Sequence, residues 1–211
     1  IATFMIMRHL ILFLFILSAC SDGIKTLPIS TGILSEVIFV VDDMLWDNHV
    51  KDVAFRTFGV PINGLALDES SFRIIQVNHS EFKSILKTHK NIVIVAKNLS
   101  AGNQQDKWAS GQLVVQLELK GEDNKLEEDL NKVKAIFEFR EIRILRNSIS
   151  KSSQKIHEKN IKEQFNIETL IPLEYTIIKD TVALFWATYN PEKQEEIKHV
   201  FVFSFKPKAM N

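Results

Sequence analysis

Asp42 and Asp43 follow the apolar run Val37-Ile38-Phe39-Val40-Val41 and are the residues best suited by type for chemistry. Two carboxylates at the end of a buried strand can hold a magnesium ion through oxygen ligands. The histidines after the leader, His49, His79, His89, His157 and His199, offer a general base or metal ligands. No two of them lie one helical turn apart or alternate on a strand, and no His-Glu-x-x-His run occurs, so a zinc site would need unrelated loops to converge. Ser30-Thr31-Gly32 is the only small-residue cluster near a strand end, and it lacks the Ser-x-Gly continuation of a nucleophile elbow. Turn formation ahead of the strand accounts for it. Trp46, Trp108 and Trp186, with Tyr175 and Tyr189, could line a groove for a glycan or a peptide. Trp46 and Trp186 fall on stripes that read as core. Trp108 follows a polar loop and is the best placed of the three for an exposed contact.

Receiver domains share the local pattern Val-Asp-Asp running into a helix, but they need a further aspartate at the end of a later central strand. Here Ile92-Val93-Ile94-Val95 runs into Ala96-Lys97-Asn98. Capping of a following helix by Asp42, with Asp43 favoured by the helix dipole, is the simpler role for the pair.

The elements that must position these residues can be read from periodicity. Glu36 to Val41 is apolar on both sides, as in a strand covered on two faces. Trp46, Val50, Val53, Ala54 and Phe58 recur at helical spacing, and Gly59-Val60-Pro61 stops that helix. A strand over Phe72 to Val77 follows, then a short helix from Ser80 with Phe82, Ile85 and Leu86 on one face, then a strand over Ile92 to Val95. A polar loop, Asn98 to Lys107, leads to Trp108 and a strand over Leu113 to Leu119. Leu126, Leu130, Val133, Phe137 and Ile144 stripe a charged helix that ends near Asn147. Ser148 to Ser153 separates it from a second helix through Phe165. Leu173 to Ile178, Val182 to Tyr189 and Val200 to Phe205 alternate as strands, with Trp186 and Leu184 on one face and Phe201, Phe203 and Phe205 on another. The sum is an α+β body, 34–211, as a single domain in which a mixed β-sheet carries helices on at least one face.

The first twenty residues have a different purpose. Met7-Arg8-His9, the apolar run Leu10 to Leu17 and Ser18-Ala19-Cys20 have the shape of a lipoprotein signal. A basic start and a hydrophobic core too short to span a bilayer precede small residues and the chain's single cysteine. Cys20 is then the acylated first residue of the mature protein, translation starts at Met5 or Met7, and residues 21–33 form a polar tether. Each buried methylene contributes about 0.8 kcal/mol, so two or more acyl chains hold a protein on a membrane durably. The expected location is the cell envelope, lipid-anchored, with the outer membrane favoured and its periplasmic or surface face open.

The balance of 26 basic and 26 acidic residues argues against electrostatic capture of nucleic acid. With the cysteine committed to the anchor, stability must come from packing, for which 45% hydrophobic residues suffice.

Leu27-Pro28-Ile29-Ser30-Thr31-Gly32, then Ser35 to Asp42 with Trp46, resembles domain-of-unknown-function family 4837, uncharacterised lipoproteins of the Bacteroidota. The resemblance continues through Gln76-Val77-Asn78, Lys87 to Ile94, Trp108-Ala109 with Gln112, Ile171-Pro172 and Phe185-Trp186. It implies an envelope protein without an assigned activity. It also implies a longer carboxyl end, so that the last strands here would present an open edge or an apolar face.

The expected function is a noncatalytic binding or scaffolding lipoprotein whose partners are the membrane, through Cys20, and an envelope protein or glycan. Trp108, Asp42, Asp43 and His89 are the candidate ligand-binding residues; no catalytic residue, metal centre or cofactor is assigned. The alternative is a periplasmic metal-dependent hydrolase in which folding brings His89 to Asp42 and Asp43. A third reading has the stripes of the charged helices, Asn124 to Asn147 and Ser153 to Phe165, docking a partner.

Overall fold

Every residue of the first strand, β1 (Glu36–Val40), is buried, as a strand covered on both faces must be. The computed structural model describes residues 26–64, 67–120, 123–192 and 197–205. The signal segment, Cys20 and the first part of the expected tether lie outside the described residues. β1 joins β2 (Arg73–Val77), β3 (Asn91–Ala96), β4 (Gly102–Gln105) and β5 (Leu113–Glu118) in a sheet of order β2-β1-β3-β5-β4. Its pairings are parallel except for β4, which lies antiparallel to β5. A second sheet holds β6 (Thr176–Asp180), β7 (Leu184–Tyr189) and β8 (Lys198–Phe203), all antiparallel. With its helices this is the expected α+β fold with a mixed sheet. The chain divides into two compact units, residues 1–134 and 135–211, where the sequence reading takes 34–211 as one domain.

In the first unit β1 feeds a helical segment, α1, made of Asp43–Leu45, a widened π turn Trp46–Val50, and Lys51–Phe58. Its stripe of Trp46, Val50, Val53, Ala54 and Phe58 is buried as the spacing predicts. Phe39 of β1 meets Trp46 and Phe58 at ring separations of 5.8 and 5.4 Å. Gly59 ends the helix at φ −84, so left-handed freedom is not what the position needs. A Cβ there would lie 2.7 Å from the Phe55 carbonyl oxygen, and close approach is the reason for glycine.

The β1–β2 connection moves across the sheet one way and the β2–β3 connection returns the other way. Two right-handed crossovers of opposite direction lie on opposite faces. Accordingly Phe82 and Leu86, from the returning connection, pack on Ile38, Val40, Ile92 and Ile94, the face away from α1. That connection is not the helix expected from Ser80. Asn78 Oδ1 takes both the N–H and the hydroxyl of Ser80 in a turn, and a 3-10 segment, Ser84–Thr88, follows with Ile85 exposed. The polar loop expected over Asn98 to Lys107 contains the edge strand β4.

The long helix α2 (Asp123–Lys151) continues through the serines expected to break it. The Ser148 and Ser150 hydroxyls donate back to the carbonyls of Leu145 and Asn147, which keeps them inside helical geometry. Leu126, Leu130, Val133 and Phe137 are buried; the next buried residue on that face is Glu141, and Ile144 is half exposed. α3 (Lys155–Phe165) ends at Asn166 in the left-handed conformation, a cap that asparagine tolerates.

In the second unit Ile161 and Phe165 of α3 pack with Ile171, Phe185 and Ala187 against one face of the three-stranded sheet. Trp186 pairs across the ladder with Phe201, their rings stacked at 5.3 Å, and Leu184 pairs with Phe203. These residues share one face, a correction to the two faces read from alternation, because the register of the β7–β8 pair aligns them. Trp186 is half buried on this open face and is not core, and Phe201, Phe203 and Phe205 are exposed.

Glu158 supports this unit from α3. It accepts from the Ile171 N–H at 3.0 Å and from Lys155 at 3.2 Å. Burial pushes its carboxyl upward, but these donors outweigh burial and hold it below the ordinary 4.5. Its stabilisation is present above the unfolded value and lost as pH falls through the lower folded value. The urea midpoint should therefore drop less between about pH 6 and about pH 3 in Glu158→Gln than in the wild type. Equal acid sensitivity would show that the carboxylate contributes nothing.

Candidate functional site

The carboxyl ends of β1 and β3 meet where the chain's direction across the sheet reverses, the place where open α/β sheets hold ligands. Asp42 and Asp43 stand there, just after the buried strand β1. Asp42 begins α1 through its backbone, its carbonyl accepting from the Trp46 N–H at 2.8 Å, but its carboxylate makes no capping hydrogen bond. Asp43 Oδ1 accepts from Gln76 Nε2 at 3.0 Å, and the same amide donates to the Val41 carbonyl at 3.0 Å. Nearby, His79 Nε2 lies 3.3 Å from the Val95 carbonyl oxygen, tying the end of β2 to β3. Among the described residues no three His, Cys, Asp or Glu side chains are close enough to share a metal ion.

His89 is at the other end of the sheet. It precedes β3 and meets Glu36, the first residue of β1. At about 3.3 Å per residue, six residues of extended chain separate Glu36 from Asp42 by roughly 20 Å. The structure thus keeps His89 apart from the two aspartates. The His89 ring is buried, with Nε2 2.9 Å from Glu36 Oε1 and Nδ1 accepting from the Asn91 N–H at 3.3 Å. A protonated ring finds an acceptor in the Asn91 carbonyl, 3.1 Å from Nδ1. Both ring nitrogens are satisfied in either state, as a structural histidine requires. Arg73 Nη1 reaches the second Glu36 oxygen at 3.6 Å, and Asn91 Nδ2 donates to the Glu36 carbonyl at 3.0 Å.

Chain expected to be tether closes this cluster. Ser110 N–H donates to Pro28, Ser30 N–H to Ser110, Thr31 N–H to Thr88 and Lys90 N–H to Thr31. From Pro28 onward the segment is a strap laid across the heads of β3 and β5. Gly32, at φ +90, crosses directly over the His89 ring.

Gln112 links the strap region to Trp108. Fully buried, it donates from Nε2 to the carbonyls of Lys87 and His89, each at 2.6 Å, and accepts the Trp108 N–H at 3.0 Å. Asp106 Oδ1 accepts the N–H groups of Gly111 and Gln112, closing the loop that carries Trp108. The indole packs edge-on against Phe82 at 5.5 Å and rests half buried on the core. Lys107 and Lys87 place their ammonium groups 4.6 and 5.7 Å from its ring centre. Of the sequence candidates, Trp108 is the one that combines partial exposure with charge.

Glu36, Asn91 and Gln112 were not expected as a group. The available signal was two polar strand heads, Glu36 and His89 to Asn91, before apolar runs; these meet once β1 and β3 pair in parallel. In the second unit His157 Nδ1 lies 2.6 Å from Asp180 Oδ2, which also accepts from Asn160 at 2.9 Å. This joins α3 to β6.

No helix among the described residues is long and apolar enough to cross a membrane. Neither the curated proteins nor the solved structures compared with the chain yield a match. Residues 30–150, from the strap to the last turn of α2 and more than half of the chain, match the model of a domain of unknown function, DUF8532, and the chain belongs to that family.

Proposed function

We propose that this protein is a noncatalytic binding or scaffolding lipoprotein, held at the cell envelope by acylation of Cys20. The observation that carries the noncatalytic reading is the placement of Asp42 and Asp43 at one end of β1 and of a walled-in His89 at the other. That placement speaks against the meeting of Asp42, Asp43 and His89 on which the hydrolase alternative depends. The signal-like segment through Cys20, and the resemblance to family 4837 of the Bacteroidota, support the anchor. Binding is supported by Trp108, a half-exposed aromatic group fixed by a buried glutamine. The stripe through Leu126, Leu130, Val133 and Phe137 is buried and unsuited to docking. The second half of α2 leaves Phe139, Ile142 and Leu145 exposed, which favours a scaffolding contribution from that helix.

Labelling cells with an alkynyl fatty acid should mark the wild type and leave Cys20→Ala unmarked and released from membranes. Crosslinking in native membranes should then capture an envelope component with the wild type and lose it with Trp108→Ala. The double variant Asp42→Asn/Asp43→Asn should capture as well as wild type and unfold within about 0.5 kcal/mol of it. Unlabelled wild type would overturn the anchor. Capture lost in the aspartate variant, with wild-type capture abolished by chelation and restored by magnesium, would make the two aspartates a metal site and overturn the reading that leaves them out of binding.

A further inference from the structure

Two lysine ammonium groups share one indole, and among the described residues neither has a carboxylate partner. Lys87 comes from the 3-10 segment and Lys107 from the loop before β5, so their convergence is made by the fold. Both residues are only partly exposed, and none of the ion pairs among the described residues involves either. The adjacent carboxylate, Asp106, has one oxygen turned into its own loop on two backbone N–H groups. What remains, among the described residues, is a ring with two ammonium groups beside it that no carboxylate pairs directly.

We propose that this site binds an acidic saccharide, a polymer carrying ring carboxylates of the uronic-acid type. The proposal rests on the binding reading above and names its ligand class. A pyranose presents an apolar C–H face that suits the electron-rich face of indole, and its carboxylate suits the ammonium groups beside that ring. An ammonium at a partly exposed ring is held weakly enough to exchange this contact for a charge-assisted hydrogen bond to a carboxylate. The vacated ring face then takes the sugar. Nucleic acid fits less well, because it calls for an extended basic stripe and the chain has no net charge.

Affinity electrophoresis of the full chain in detergent, through gels containing polygalacturonate, tests the site. Dextran serves as the neutral control and polyglutamate as the acidic peptide control. The wild type should be retarded by polygalacturonate, with retardation falling as salt rises, and should run freely in both controls. Lys87→Gln/Lys107→Gln should bind about tenfold more weakly, equivalent to about 1.4 kcal/mol. Trp108→Ala should lose binding, and Trp108→Phe, which keeps an aromatic platform on Phe82, should retain part of it. Urea unfolding of the lysine variant, whose side chains lie outside the core, shows whether the fold is intact.

Retardation by dextran equal to that by polygalacturonate, or unchanged binding in the lysine variant, overturns the proposal. So does equal retardation by polyglutamate, which would make this an acidic-peptide site. Loss of the membrane-crosslinked component in Trp108→Ala without polygalacturonate binding would sink the saccharide and leave the binding reading standing. Polygalacturonate binding by a wild type that takes no fatty-acid label would sink the anchor alone.

Discussion

Gly32→Ala should destabilise the protein by about 3–4 kcal/mol, read from the urea midpoint at constant slope. Two independent costs add. At φ +90 an alanine sits in the left-handed region, which disfavours any residue with a Cβ by about 1–2 kcal/mol. That Cβ would also lie 2.2 Å from His89 Nε2, the nitrogen bound to Glu36. The ring cannot retreat, because it is buried and held on its other side by Asn91. Either the strap lifts or the Glu36 bond breaks, leaving a buried polar group unpaired for about 1–3 kcal/mol. A cycle with His89→Ala separates the two costs. On that background Gly32→Ala should cost only the backbone share. A loss within about 0.5 kcal/mol in the otherwise wild-type chain would mean that the strap does not close over the ring.

The contrast between what was legible and what was not follows from how each element is encoded. The runs Val37 to Val40 of β1 and Ile92 to Val95 of β3 are apolar on both sides and could be read directly, because burial on two faces leaves little room for polar residues. β4, with the sequence Gly-Asn-Gln-Gln, is exposed throughout and has no pattern to read; its pairing to β5 comes from backbone alone. Ser148 to Ser153 has the composition of a break, yet serine hydroxyls can return hydrogen bonds to their own helix, and α2 runs on to Lys151. Ile144 continues an apolar stripe by spacing, yet it is half exposed, because spacing names a helix face and not which of its turns are covered.

The candidate site was legible by residue type and not by geography. Asp42, Asp43 and His89 each have suitable chemistry, but whether they meet depends on which ends of β1 and β3 lie together. Parallel pairing puts Glu36 beside His89 and leaves the aspartates at the far end. Strand order decides this, and order is carried by crossovers rather than by local sequence. Gln112 carries part of the family resemblance, but its role depends on geography too: nothing local says that the carbonyls of Lys87 and His89 and the Trp108 backbone N–H close around it.

Gln112→Leu should be the other severe substitution, at about 3–5 kcal/mol, and it should also reach Trp108. Leucine fills nearly the same volume, so the cost is polar. The carbonyls of Lys87 and His89 lose their donor and the Trp108 backbone N–H loses its acceptor, around a side chain that is itself fully buried. Each buried group left unmade costs about 1–3 kcal/mol. Partial relaxation keeps the sum below three full penalties. Relaxation has a direction: the loop from Asp106 to Gly111 is pinned to the 3-10 segment by this side chain, and freeing it lets the indole shift on Phe82. The folded variant should therefore show Trp108 more open to iodide quenching, measured with Trp46 and Trp186 replaced by phenylalanine, and weaker retardation by polygalacturonate. The lysines are untouched, so lost retardation here assigns Gln112 a positioning role. A variant that loses stability while quenching and retardation stay at wild-type levels would show that Gln112 serves the core alone and that Trp108 holds its place through Phe82.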